Sequence, residues 1–192
     1  MAVEIEAKMR FDDTTALVEN LIQAGAAKVR TVLEVNTYFD TPKRALCASD
    51  RGLRLRIERE EHGPYKSVTI GSKGPRVPSE LKRRSEIEVP VEPGGAEAAH
   101  ELLQGLGYQP VLTFEKRRTR YKLGDCLVEL DHLPYLGRFV EIEGPSDQAV
   151  LGVRKQLGLD QVPLISTSYI AMLSDYLTKN GITDDYIRLE VD

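Results

Sequence analysis

The sequence predicts an α+β fold: a closed eight-stranded antiparallel β-barrel, a tunnel with a charged lumen and helices packed outside. Three observations predict it. Segments of period-two alternation recur along the chain, helical stripes interrupt them, and the polar positions of the strands carry Arg, Lys, Glu and Asp instead of a neutral mixture.

Residues 3 to 10 set Val3, Ile5, Ala7 and Met9 against Glu4, Glu6, Lys8 and Arg10, a strand with one apolar and one charged face. Asp12 and Asp13 supply a helix N-cap, and Ala16, Leu17, Leu21 and Ile22 form a stripe ending near Gly25. Residues 28 to 39 read as a long strand stopped by Asp40-Thr41-Pro42. Residues 51 to 60 alternate Leu53, Leu55 and Ile57 with Arg54, Arg56 and Glu58. A break at Gly63-Pro64 precedes a strand at 65 to 73, which Gly74-Pro75 closes. The next strand, 82 to 91, carries Arg84, Glu86 and Glu88 on one parity and Ile87 and Val89 on the other. Pro93-Gly94-Gly95 leads into a helix with Ala99, Leu102, Leu103 and Leu106. Strands at 111 to 123 and 126 to 132 meet at the tight turn Gly124-Asp125, and a strand at 138 to 143 ends at Gly144-Pro145. Helices at 146 to 157 and 167 to 179 finish a single domain spanning 1 to 180. An acidic, loosely ordered tail, 181 to 192, is expected beyond it.

At 192 residues and 41% hydrophobic, the chain is long enough for one sizeable core. Its formal net charge is -4, which argues against a nucleic-acid coat role, because phosphate partners demand a basic excess. Cys47 and Cys126 fit no CxxC pattern, so neither a disulfide framework nor a thiolate zinc site is expected. No apolar run is long enough to span a bilayer, and the start enters a strand pattern at once, without a signal peptide. A cytoplasmic protein with no membrane role is expected.

The charged faces carry the functional signal. Glu4-Glu6-Lys8, Arg54-Arg56-Glu58, Arg84-Glu86-Glu88, Lys116-Arg118-Arg120, Glu129-Asp131 and Glu141-Glu143 each occupy alternate positions. Carboxylates two apart on a strand lie on one face, about 7 Å apart. They repel unless a cation sits between them. About eight strands close a barrel and abolish its edges. The apolar parity then packs against outer helices and the charged parity faces inward. Such a lumen is tolerable only when water, ions and a charged ligand fill it. Hard carboxylate oxygens imply Mg²⁺ or Mn²⁺. The many guanidinium and ammonium groups beside them imply a di- or triphosphate.

These residues resemble a known family. Glu4-Ile-Glu-Ala-Lys8 resembles the E-x-E-x-K signature of the CYTH superfamily, the triphosphate tunnel metalloenzymes. Further matches follow in order at Tyr38-Phe-Asp-Thr-Pro42, Leu53-Arg-Leu-Arg56, Lys73-Gly-Pro75 and Arg84-Ser-Glu-Ile-Glu88. They continue at Phe114-Glu-Lys-Arg-Arg118, Leu130-Asp131, Leu136-Gly137, Phe139-Val-Glu-Ile-Glu143 and Ser168-Tyr169. The second half is most similar to the class IV adenylyl cyclases. The chain departs from the pattern at Asn36, where an Asp is frequent, and at Gly71, where a Thr is common. The resemblance implies a metal-dependent enzyme acting on ATP, tripolyphosphate or thiamine triphosphate, and a homodimer. It implies metal-associated acids at Glu4, Glu6, Glu86, Glu88, Asp131, Glu141 and Glu143. Catalytic cations are expected at Lys8, Lys116 and Arg118, and substrate contacts at Arg54, Arg56, Lys73, Arg84, Arg120 and Tyr38.

The leading expectation is a class IV cyclase-like enzyme converting ATP to cyclic AMP and pyrophosphate. A triphosphatase is the alternative; a non-catalytic phosphate-binding module and a structural barrel with wet polar faces follow. Other residues receive plainer readings. Lys43-Arg44 and Lys82-Arg83 read as solvated charges, with an entrance rim that steers an anion as the alternative, His62 and His100 as surface residues, and Tyr169 as helix packing or a plug for one tunnel end.

Overall fold

The structure, a computed structural model, describes residues 2–60 and 65–190. The strands are β1 (Ala2–Arg10), β2 (Ala27–Asp40), β3 (Gly52–Glu60), β4 (Tyr65–Lys73), β5 (Lys82–Val91), β6 (Gln109–Leu123), β7 (Cys126–Leu133), β8 (Gly137–Glu143) and the short β9 (Tyr186–Ile187). The helices are α1 (Thr14–Gln23), α2 (Ala45–Ala48), α3 (Ala96–Gly105), α4 (Asp147–Gln156) and α5 (Tyr169–Lys179). The expected Gly63-Pro64 break and His62 lie outside the described residues.

The strands run β2-β3-β4-β5-β1-β8-β7-β6, and β6 pairs back onto β2, so the sheet closes on itself. Every neighbouring pair in the ring is antiparallel. The expected eight-stranded barrel is therefore present, with its edges removed.

Local sequence sets the connections. Asp13 caps α1, its carboxylate accepting from the Ala16 N–H at 2.9 Å, and Ser146 caps α4 in the same way through Ala149. Gly124 adopts φ 56° in the two-residue turn between β6 and β7, a left-handed conformation that glycine enters without strain. Asp40 organises the bend after β2, accepting from the N–H groups of Thr41, Leu46 and Cys47 at 2.7 to 2.9 Å.

The two strand faces separate as the alternation requires. On the outer face Ile5, Ala7, Met9, Val128, Leu130, Val140 and Ile142 pack beneath Leu17 and Leu21 of α1 and Val150 and Val153 of α4. Leu103 and Ala99 of α3 cover Phe39, Leu55 and Val68. Each fully buried leucine of these clusters contributes about 2 kcal/mol of transfer free energy.

One end of the barrel departs from the charged lumen. Along β6 the inward positions change from Arg120, Arg118 and Lys116 to the apolar Phe114 and Leu112. There Leu133, Phe139, Tyr169, Leu173 and Leu177 form a third cluster under α5. Strand β9 adds to β6 in parallel at Thr113 and Phe114, and Ile187 and Leu189 are buried. Loose order is expected from the composition after Gly181, but these residues are docked. The Tyr186 hydroxyl and the Leu189 N–H both donate to the Glu115 carboxylate.

Candidate functional site

The barrel encloses a cavity of about 1080 Å³. All but one of the site residues expected from sequence line it: Glu4, Glu6, Lys8, Tyr38, Arg54, Arg56, Lys73, Arg84, Glu86, Glu88, Lys116, Arg118, Arg120, Glu141 and Glu143. The exception is Asp131, which is buried against Lys116 and Arg118.

On the β3–β5 side, Arg54 meets Glu88 at 3.1 Å, and Lys73 meets Glu4 at 2.8 Å and Glu86 at 3.2 Å. Arg84 donates to the Asp50 carbonyl at 2.8 Å, which leaves its buried Nε without a partner. Arg56 Nε donates to Asn36 Oδ1 at 3.0 Å. At this departure from the family pattern the side chain thus accepts from an arginine but supplies no charge. At Gly71 an added Cβ would stand 3.6 Å from both Arg54 and Glu88, an ordinary contact distance.

On the opposite side, Asp131 binds Lys116 at 3.0 Å and Arg118 Nε at 2.6 Å, with its second oxygen also on Arg118. Sequence reasoning expects Asp131 among the metal-associated acids, but in the structure both its oxygens are engaged by cations. Arg118 additionally meets Glu129 and Glu141. Lys8 lies 3.2 Å from Glu141 and sits over the Tyr169 ring, 4.0 Å from its centroid. Tyr169 packs edge-on against Phe139, as the helix-packing reading expects, and it lines the cavity where the charged positions give way to the apolar cluster.

Three residues escaped the sequence reading. Glu34 is fully buried and lies 3.0 to 3.7 Å from Arg56, Lys116, Arg118 and Arg120. Burial opposes its ionisation, but those cations hold its carboxyl well below the ordinary range. Lys82 is not a solvated charge. It is buried and meets Glu6 at 2.8 Å, and although desolvation disfavours its charge, Glu6, Glu141 and Glu4 raise its pKa. Asp50 orients Arg84. Position 34 shares the parity of Asn36 and Tyr38, which is the signal that could have found it. His100 also departs from a plain surface reading, since it packs edge-on against Phe39 with ring centroids 5.1 Å apart.

The acids near one mouth fit a hard divalent cation. Glu6 stands opposite Glu143 in the β1–β8 register, and Glu6 Oε1 is buried without a hydrogen-bond partner. Burial and Glu141 raise the Glu6 carboxyl. Burial, Glu4 and Glu129 push Glu143 up to about 7. Among the described residues no three ligands already converge as a metal cluster. Lysines and arginines interleave with the carboxylates, so the acid set has the oxygen chemistry for Mg²⁺ or Mn²⁺ but shares its charge with protein cations.

The family model described as the CYTH domain matches residues 2–169. The chain belongs to the CYTH family. This CYTH chain is 30% identical over 191 residues to adenylate cyclase CyaB of Aeromonas hydrophila, a match covering 93% of this chain and 92% of that protein. It is 28% identical over 179 residues to the MJ0240 protein of Methanocaldococcus jannaschii, covering 88% and 98%. Among solved structures, the PH1819 protein of Pyrococcus horikoshii superposes with a TM-score of 0.78 at 29% identity, covering 90% of this chain and 99% of that one. The HpAC1 protein of Hippeastrum, described as having a dominant triphosphatase activity, shares the fold at 20% identity and a TM-score of 0.71, covering 90% and 96%. The fold is thus common to these proteins, and the fold alone does not choose the bond that breaks.

Proposed function

We propose that this CYTH protein is a divalent-metal-dependent adenylyl cyclase, converting ATP to cyclic AMP and pyrophosphate. The observation that carries the proposal is the opposition, within one closed lumen, of Arg54, Arg56, Lys73 and Arg84 to the acids Glu4, Glu6, Glu141 and Glu143. Similarity to the Aeromonas cyclase along nearly the whole chain supports the choice of reaction.

Arg54, Arg56, Lys73, Arg84 and Arg120 bind and neutralise the phosphate chain, and Tyr38 contacts the base. Glu4, Glu6, Glu141 and Glu143, with Glu86 and Glu88, would hold Mg²⁺ or Mn²⁺, and Asp131 holds the cations Lys116 and Arg118 beside them. A metal bound there would supply positive charge to the triphosphate and would acidify the attacking hydroxyl. The ribose 3′-oxygen bonds to the α-phosphorus, the bond from that phosphorus to the bridging oxygen breaks, and the hydroxyl proton passes to solvent, so ATP gives cyclic AMP, pyrophosphate and one proton. Lys8, Lys116 and Arg118 stabilise the departing pyrophosphate, whose charge rises as that bond lengthens. Closure of the inner end by Tyr169 limits water there, favouring the ribose hydroxyl over hydrolysis.

The protein is assigned to the cytoplasm, in keeping with the free thiols of Cys47 and Cys126. A homodimer is proposed from the resemblance to the cyclases. Val3, Ile87 and Val89, exposed on neighbouring outer strands, offer it an apolar surface, and light scattering of the purified chain tests it.

Incubation with ATP, tripolyphosphate or thiamine triphosphate and Mg²⁺ or Mn²⁺ tests the activity. Cyclic AMP and pyrophosphate from ATP are expected. Orthophosphate as the main product would replace the cyclase by a triphosphatase, and ligand binding without any product would leave a binding module.

A further inference from the structure

Strand β6 carries Lys116 and Arg118 between two buried carboxylates that do not line the cavity. Glu34 on β2 is the register partner of Lys116, and Asp131 on β7 is the register partner of Arg118. Both acid side chains have 0% exposure. Lys116 Nζ lies 3.3 Å from Glu34 and 3.0 Å from Asp131, and Arg118 reaches both acids as well. Hydrogen-bonded strands fix each acid, so the two cations are gripped from either side of their own strand.

We infer that Glu34 and Asp131 are positioning residues, a two-carboxylate brace that holds Lys116 and Arg118 ready for the phosphates without touching the ligand. The inference rests on the triphosphate reading of the lumen. Without the brace a lysine and an arginine two residues apart would repel, and the flexible lysine stem would sample many rotamers. Catalysis by charge stabilisation requires donors that are oriented before the charge develops. The brace also lowers the positive charge the lumen presents. A resting polyanion is thereby held less tightly, and more of the attraction is kept for the transition state.

The brace has a consequence that a purely structural ion pair lacks. Glu34→Gln keeps the shape of the side chain and removes its charge, so the lumen should attract a polyanion more strongly while using it less well. For the 192-residue chain without metal, calorimetry should show the Kd for inorganic tripolyphosphate tightening by about tenfold, the scale expected for one added charge in a partly buried site. With metal, turnover of ATP should fall by at least about tenfold. Glu34→Asp, which restores the charge, should return the affinity to that of the unaltered chain and recover most of the turnover. A readout independent of any ligand is the ¹⁵Nζ resonance of Lys116. Protection from proton exchange should make it visible in the ligand-free protein, and Glu34→Gln should abolish it. If Glu34→Gln fails to fold, Asp131→Asn carries the same three expectations.

Weakened affinity that falls in step with turnover and Tm would show a merely structural role and overturn the brace. Unchanged affinity, turnover and Lys116 resonance would overturn it as well. An unaltered chain that binds no tripolyphosphate, yet shows the protected Lys116 resonance, would instead overturn the triphosphate reading.

Discussion

Glu6 on β1 stands directly opposite Glu143 on β8, two carboxylates facing the same lumen with one Glu6 oxygen buried without a hydrogen bond. Like charges in direct cross-strand opposition destabilise a sheet unless something neutralises them. Lys82 and Lys8 reach Glu6, at 2.8 and 3.7 Å, but Glu143 keeps its proton up to about 7. The pair is therefore a place where added positive charge gains stability.

That gain should appear as a pH dependence. The folded-state pKa of Glu143 lies above its ordinary value of 4.5, so folding favours its protonated form. The stabilisation is complete below about pH 4.5 and is lost as pH rises through about 7. Scanning calorimetry of the metal-free chain should show this contribution to Tm declining between about pH 5 and 8, and Glu143→Gln should remove it. Millimolar Mg²⁺ should raise Tm more at about pH 8 than at about pH 5, because only the ionised acid binds metal. A metal effect independent of pH would contradict the placement of Glu143 in the cation site.

Removing charge from the lumen should separate activity from folding. Glu6→Gln and Arg56→Ala should each lower kcat/KM for ATP by about a hundredfold or more, the scale seen when one preorganised electrostatic group is lost. Circular dichroism should remain that of the parent, because the outer apolar clusters that hold the barrel are untouched. Normal activity in both variants would refute their assignment.

Tyr169 combines a useful ring with a costly hydroxyl. Its ring lies under Lys8 and Lys116, at 4.0 and 5.1 Å, and packs on Phe139, whereas its oxygen is buried without a hydrogen bond. Tyr169→Phe should be neutral or stabilise by about 1 kcal/mol by removing the unsatisfied group. Tyr169→Ala should destabilise by about 3 kcal/mol or more through the cavity it leaves. Chemical denaturation measures both, and a large loss from the phenylalanine variant would mean that the hydroxyl is satisfied.

The end of the chain should matter more than its composition suggests. Ile187 and Leu189 bury their side chains, and Tyr186 pairs with β6. Deleting residues 182–192 should cost about 2 to 4 kcal/mol, from the apolar area exposed. Urea unfolding with an unchanged midpoint would show that this segment contributes nothing.

Where the alternation was regular, the sequence disclosed both the barrel and its lumen. In β1, β3 and β8 consecutive inward positions carry charges, Glu4-Glu6-Lys8, Arg54-Arg56-Glu58 and Glu141-Glu143, so Glu4, Arg54, Arg56 and Glu141 stand out from the sequence. Glu34 did not, because the next two inward positions of β2 are Asn36 and Tyr38, and one acid makes no repeat. Lys82 was hidden by its neighbour, since consecutive Lys82, Arg83 and Arg84 give no parity to read, although only Arg83 faces outward to meet Asp147. Asp131 followed the carboxylate rhythm of β7 but meets cations supplied by β6, a pairing set by register across strands. Strand β9 has two residues, too few for any period.

The most direct test of the central claim, that carboxylates and cations of one lumen together hold a metal-bound triphosphate, is pulsed electron paramagnetic resonance of Mn²⁺ added with tripolyphosphate. The account predicts a protein-bound Mn²⁺ with ³¹P coupling from the phosphates, lost in Glu6→Gln. Mn²⁺ that binds with no ³¹P coupling, or whose spectrum is the same in Glu6→Gln, would contradict it.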